Sequence, residues 1–191
     1  MSSTSRGYNR HKSDYYITPV EEISKFIEEL HNVEPDWTWG KKILDPCAGG
    51  DKEHEMSYPV ALELSGVNPD NILTVDIRQD SRADIKDDYL KGIFSPVDII
   101  ITNPPFKIAR KIIVKALSDV KSGGLVIMLL RLNYFGSKNR FDMWNKQLPK
   151  YCFVHHQRMS FTDNGKTDSI EYCHMVWQKD YYPEFTKLKV I

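Results

Sequence analysis

Long hydrophobic runs, paired cysteines and an excess of charge are all missing from this chain. No apolar stretch approaches the roughly twenty residues that cross a bilayer, and the opening MSSTSRGYNRHKSDYY lacks the apolar segment of a secretion signal. A cytoplasmic, reducing location is therefore expected, with no membrane partner. Three cysteines, Cys47, Cys152 and Cys173, form an odd, sparse set without a CxxC pair, so neither a disulfide framework nor a zinc ribbon is signalled. Cys152, His155, Cys173 and His174 could be drawn as a metal set. They fall in two apolar, strand-like runs, however, and strand positions explain them, so no metal is expected. Lysine plus arginine equals aspartate plus glutamate at 26 each, so a polyanion would have to be held by a local patch.

What is present suits one hydrophobic core. The chain has 191 residues, 41% of them hydrophobic and 12% aromatic, without repeats or low-complexity tracts. Residues 1–13 are polar and basic (Arg6, Arg10, Lys12) and read as a flexible arm before one domain over 14–191. Thr18-Pro19-Val20-Glu21 reads as a helix start, with a hydroxyl cap, proline at the first helical position and Glu completing a capping box. Val20, Ile23, Phe26, Ile27 and Leu30 share one face of that helix. Strands are expected over 42–44, 72–77, 97–102, 125–130, 151–156 and 172–178, and helices over 56–65, 108–120 and 140–148. Such alternation, with fully apolar strands, predicts an α/β fold with a mainly parallel sheet.

Two loops carry chemistry. DPCAGGD (45–51) leaves the first strand, where consecutive glycines let backbone approach a ligand. Asp76 follows one βα unit later, where a carboxylate can take both hydroxyls of a ribose. The three-glycine dinucleotide fingerprint and the phosphate-loop lysine are both missing. A nucleoside without phosphates is expected, and S-adenosylmethionine fits. The second loop, Asn103-Pro104-Pro105-Phe106, ends the isoleucine-rich strand DIIIT on the same sheet edge. Two prolines stiffen it and leave carbonyls free to accept. The Asn103 amide oxygen and the Pro104 carbonyl are two preset acceptors for an exocyclic amine, and Phe106 offers a face for a base.

With these motifs in order, the chain resembles the S-adenosylmethionine-dependent N6-adenine DNA methyltransferases, in particular the small phage-type enzymes. The resemblance runs through DYYITP (14–19), DPCAGGD, VDIR (75–78), DDYL (87–90), TNPPF (102–106) and the tail RMSFTDNGKTDSIEYCHMVW (158–177). It implies a single Rossmann-like methyltransferase domain, with a seven-stranded sheet, helices on both faces and no separate target-recognition domain. It implies that Tyr16 and Thr18 border the methionine part of the cofactor, while Asp45, Pro46, Cys47, Ala48 and Gly49 line its centre. Asp76 would hold the ribose, Ile77 would pack on the adenine, and Asp88 would accept from the adenine amine with Tyr89 beside it. In the family the glycine loop usually ends in a further glycine. Asp51 stands there instead, where a carboxylate could crowd the methionine end or bind its ammonium.

The implied partner is double-stranded DNA, acted on by a monomer. Between residues 107 and 150, ten lysines and arginines face only Asp119 and Asp142, a local excess of eight positive charges. Within that stretch NYFGSKNR (133–140) combines basic, aromatic and glycine residues, so Lys138, Asn139 and Arg140 are candidate phosphate contacts. SFTDNGKTDS (160–169) is a second candidate for target contact. His155 and His156 read as solvated or strand-end residues without a catalytic role. Alternatives stay open: the same chemistry on RNA adenine or a protein glutamine, or a non-catalytic module binding cofactor or DNA.

Overall fold

The isoleucines of DIIIT sit at the middle of a mixed sheet. The computed structural model describes residues 17–161, 167 and 169–191, so Tyr16, the arm expected over 1–13 and most of the loop 160–169 lie outside the described residues. The strands are β1 (Ile43–Asp45), β2 (Ile72–Asp76), β3 (Ile85–Lys86), β4 (Val97–Thr102), β5 (Val120–Arg131), β6 (Tyr151–Val154), β7 (Tyr172–Gln178) and β8 (Lys187–Val190). They form one eight-stranded sheet in the order β3-β2-β1-β4-β5-β7-β6-β8. From β3 to β5 every pair is parallel, and β7 then runs antiparallel to both β5 and β6. The expectation of seven strands is corrected to eight. β3 is two exposed residues, and β8, KLKV, is exposed throughout, so neither carries the apolar pattern that marks a strand in sequence.

Alternate residues of the central strands feed two cores. Ile99, Ile101 and Ile127 pack with helices α1 (Val20–Val33) and α2 (Ser57–Leu64), through Phe26, Leu30 and Leu62. Ile100, Val126 and Met128 face the other way, toward α3 (Ala109–Asp119) and α4 (Phe141–Lys146), with Ile113 and Trp144. Helices therefore cover both faces, as expected. Among the described residues no helix is long and apolar enough to cross a membrane.

One local expectation fails instructively. The N-cap of α1 is Pro19 (φ −59°, ψ 122°), not Thr18, and no side chain caps the helix. The Pro19 carbonyl accepts from the Glu22 and Ile23 amides at 3.1 and 3.3 Å, and the Thr18 hydroxyl turns to another partner across the sheet edge.

The chain reverses direction of winding between β1 and β4: β2 lies on one side of β1 and β4 on the other. At such a switch point the loops leaving neighbouring strands separate and open a crevice at the carboxyl edge. Ile100, wholly buried in β4, holds that edge from below. Ile100→Ala is expected to lower unfolding free energy by about 2–5 kcal/mol, read as a lower urea midpoint at unchanged slope.

Candidate functional site

The glycine loop is tied to the strand beside it. Gly49 and Gly50 both have positive φ, 70° and 72°, which lets the chain fold back over the end of β1. The Ala48 amide donates to the Val75 carbonyl at 3.0 Å. Gly49 N–H donates to Asp76 Oδ2 at 2.8 Å, and Arg78 N–H donates to Asp76 Oδ1, also at 2.8 Å. The Arg78 guanidinium turns into the wall, where Nη2 donates to the Gly50 carbonyl at 2.5 Å. A Cβ on Gly50 would stand 2.9 Å from Met56 Cγ and 3.1 Å from Arg82 Cβ, so the loop fits here only as glycine.

The second loop meets the first across the crevice. Asn103 Nδ2 donates to Thr18 Oγ1 at 3.0 Å, which uses the amide nitrogen and leaves its oxygen as the end without a partner among the described residues. The Pro105 carbonyl accepts from Ile108 N–H at 3.0 Å and starts the turn into α3. The Phe106 ring lies 5.9 Å from the Tyr172 ring, and the Arg131 guanidinium stacks over it at 4.8 Å. Arg131 ends β5 and pairs in register with Tyr172, so three adjacent elements build this wall.

Between the loops lies a cavity of about 100 Å³. Eight residues of the cofactor set (Thr18, Pro46, Cys47, Ala48, Asp76, Ile77, Asp88 and Tyr89) line it together with all four of Asn103, Pro104, Pro105 and Phe106. Asp45 is fully buried and Gly49 faces Asp76, so neither is on the lining. Asp51 is not on it either: its Oδ1 accepts from the Glu53 and His54 amides at 2.8 and 2.9 Å and contacts the His54 ring at 2.9 Å. Asp51 thus organises its own turn. Sequence reasoning missed Gly50, Ser57, Tyr58, Arg78, Leu90, Ile108 and Ile112 on the lining. Arg78 was inside the VDIR motif and Gly50 inside the glycine loop, so both were within reach of a motif reading. Tyr58 carries no local signal.

The cavity is acidic and has no lysine on its lining. Asp88 Oδ1 accepts from the Leu90 amide at 3.0 Å, while the Tyr89 hydroxyl points away and donates to Asp119 Oδ2 at 2.9 Å. Burial pushes the half-buried Cys47 thiol up, with Asp45 and Asp76 adding to it, so it is no ready nucleophile. Asp45 Oδ1 accepts from the Cys47 amide at 3.1 Å, while Asp45 Oδ2 and Thr102 Oγ1, both buried, make no hydrogen bond of good geometry among the described residues, although the Thr102 hydroxyl stands close enough to act on the Asp45 carboxyl. Burial raises the Asp45 carboxyl to about 7, opposed by the Thr102 hydroxyl beside it and by the Cys47 N–H, with the Asp76 charge adding to the rise.

Outside the cavity, Lys138–Arg140 form a short 3-10 turn beyond the carboxyl end of β5. Arg140 Nε donates to the Tyr134 carbonyl at 2.7 Å and its guanidinium stacks 4.1 Å from the Tyr134 ring, while the Asn139 carbonyl accepts from Arg110 at 2.5 Å. Lys138 and Asn139 are exposed, and neither side chain makes a hydrogen bond or ion pair among the described residues, whereas Arg140 is half-buried. His155 departs from the solvated reading. It follows β6 but is buried, with Nδ1 2.9 Å from Glu22 Oε2, whereas His156 is exposed. Among the described residues no cluster of three His, Cys, Asp or Glu could hold a metal.

No protein-family model matches the chain, and no curated protein matches its sequence. Solved structures match its fold. A protein of Listeria monocytogenes assigned as a class I S-adenosylmethionine-dependent methyltransferase is 16% identical, with a TM-score of 0.63 over 98% of this chain and 68% of its own. A protein of Pyrococcus horikoshii assigned as an RNA methyltransferase is 17% identical, with a TM-score of 0.66 over 93% of this chain and 94% of its own. The M protein of the type I restriction enzyme EcoKI is 14% identical, with a TM-score of 0.59 over 87% of this chain and 44% of its own. The fold is the Rossmann-like fold of class I methyltransferases.

A raised carboxyl favours the protonated, folded form, so Asp45 contributes stability below the ordinary carboxylate range that is lost as pH rises through about 7. Relative to Asp45→Asn, wild-type stability is expected to fall between about pH 4 and about pH 8. Denaturant melts of both proteins across that range check it. A difference that stays flat would mean Asp45 titrates normally.

Proposed function

We propose that this chain transfers a methyl group from S-adenosylmethionine to the N6 amine of an adenine extruded from double-stranded DNA. The observation that carries the reading is that Asn103 and Pro104 both line the cavity while Thr18 accepts from the Asn103 amide nitrogen, which leaves the amide oxygen and the Pro104 carbonyl as the acceptors this loop can offer. Two acceptors on one rigid loop suit an amine that must offer two hydrogens.

The cavity also fits the cofactor. A phosphorylated nucleotide would meet Asp76 and Asp88 with no lysine on the lining, and the lining's one arginine, Arg78, is turned into the wall. A nucleoside bearing a sulfonium and an ammonium meets carboxylates of the opposite sign. Asp76, each oxygen of which already accepts one amide, keeps lone pairs for ribose hydroxyls, and Ile77, exposed at the rim, gives an apolar surface for adenine. When bound, the cofactor supplies an electrophilic methyl group on a leaving group that departs neutral.

The chain's own work is then alignment and exclusion of water, not acid–base catalysis. Asn103 and Pro104 hold the amine by its hydrogens, which draws its nitrogen toward tetrahedral and frees the lone pair. Phe106, braced by Tyr172 and Arg131, gives the ring against which the base stacks, a contact worth about 1–3 kcal/mol. Since N6 is shielded in a duplex, the base must leave the helix at a cost of a few kcal/mol. Lys138, at the carboxyl edge, is placed to take a backbone phosphate.

Asn103→Ala is expected to reduce methyl incorporation by about a hundredfold or more, with cofactor affinity close to wild type by calorimetry. Labelled methyl transfer into plasmid DNA, total RNA and protein, assayed side by side, identifies the acceptor: incorporation into RNA or protein alone would refute the DNA reading. Lys138→Ala is expected to lower the slope of log affinity against log salt for duplex DNA by about one. An unchanged slope would remove this turn from the interface.

A further inference from the structure

A row of buried polar groups crosses the protein behind the cavity, and methyl transfer as described makes no use of it. Glu22 Oε2 lies 2.9 Å from His155 Nδ1, His155 Nε2 lies 2.8 Å from His174 Nδ1, and His174 Nε2 lies 2.9 Å from the Tyr58 hydroxyl. The four residues come from α1, the end of β6, β7 and α2, and none is more than 9% exposed. Phe26 stacks on the His174 ring at 4.0 Å and fixes its plane. Tyr58, the last of the row, lines the cavity.

The row has a direction, which follows from counting protons. Burial pushes Glu22 up, but hydrogen bonds from Lys25 and His155 outweigh it and hold the carboxyl below its usual value, so it only accepts. Lys25 Nζ occupies its Oε1 at 2.8 Å, leaving Oε2 for His155. Burial holds both imidazoles below their usual range, against the Glu22 charge at His155 and with the help of His155 at His174. Burial, with Asp45 close by, keeps the Tyr58 hydroxyl protonated. Each neutral imidazole then has one N–H. His155 gives its proton to Glu22 from Nδ1, so its Nε2 can only accept. His174 must donate from Nδ1, and its Nε2 can only accept in turn. The Tyr58 O–H therefore donates to His174 and has lone pairs alone for the cavity.

We propose that Glu22, His155 and His174 are positioning residues that lock the Tyr58 hydroxyl as a hydrogen-bond acceptor for a cationic donor in the cavity, the ammonium of the bound cofactor. The ligand in this assignment rests on the cofactor reading above. With Asp76 placed for the ribose and Asp88 for the adenine amine, the ammonium is the donor left for Tyr58. A hydroxyl free to turn its own proton into the cavity would repel that group.

Two measurements on the full chain test this. Long-range proton–nitrogen spectra of the wild type read the tautomers directly, and both His155 and His174 are expected as the Nδ1–H form. An Nε2–H tautomer at His174 overturns the proposal. Calorimetry with S-adenosylmethionine is expected to show roughly tenfold weaker binding for Tyr58→Phe. For Glu22→Gln, whose amide can donate as well as accept, an intermediate loss is expected, together with an Nε2–H form of His155 in the spectra. Wild-type affinity in Tyr58→Phe overturns the role of its hydroxyl. Absence of cofactor binding by the wild type overturns the cofactor reading and the ligand assigned to Tyr58, while the spectra still decide the direction of the row.

Discussion

The Asp76 carboxylate is the clasp on which the crevice depends. Its two oxygens accept amides from two different loops, Gly49 after β1 and Arg78 after β2, at the same 2.8 Å. Charge-assisted bonds of this kind are about twice as strong as neutral ones, and here both are shielded from water because the residue is only 7% exposed. The clasp holds two positive-φ glycines folded over the end of a strand. Arg78 reinforces it from the other side by reaching the Gly50 carbonyl. The loop that lines the cavity is thus set by a residue that also lines it, so building the cavity and building this corner of the fold are one event.

A second constraint comes from the polar row behind the cavity. An imidazole or carboxyl taken from water without partners costs several kcal/mol, and His174 sits in β7 between Cys173 and Met175 among fully buried neighbours. The row is tolerable only when complete, since each member relieves the next. Because its members come from two helices and two strands, completing it fixes how α1 and α2 sit on the sheet. Hydrophobic packing alone leaves such docking permissive to small slides. Directional bonds narrow it.

The legible parts of the sequence were those whose physics is local. Val97–Thr102 and Tyr172–Gln178 could be drawn to the residue because runs of buried apolar side chains end abruptly at polar ones. The glycine loop and NPPF were legible because glycine and proline restrict backbone wherever they stand. Thr18 was misread for the opposite reason: its sequence context is that of a helix cap, but its hydroxyl belongs to Asn103, 85 positions away. The same distance problem hid the histidine row, whose contacts span 133, 19 and 116 positions. β3 and β8 were invisible because an exposed edge strand needs no hydrophobic face. Arg131 looked like one more member of a basic stretch, and only the register of β5 on β7 puts it over Phe106.

The distribution of charge bears on which acceptor suits this cavity. Aspartates line it or lie beneath it, and the stretch from 107 to 150, which carries the chain's positive excess, contributes only Ile108 and Ile112 to the lining. Much of that excess is already engaged: Lys115 pairs with Asp119, Lys121 with Asp98, and Lys150 with Glu34. What remains for a partner includes Lys138 and the stacked Arg140, at the carboxyl edge beyond β5. A side-chain amide of a protein would need the cavity but not this rim. A nucleotide needs both, because its base is neutral and its phosphate is not: the base can enter an acidic hollow only if its phosphates stay outside on positive charge. Separating the two by the length of a sugar is what an extruded nucleotide does, so the charge pattern favours a nucleic acid for the same reason that the cavity disfavours a phosphorylated cofactor.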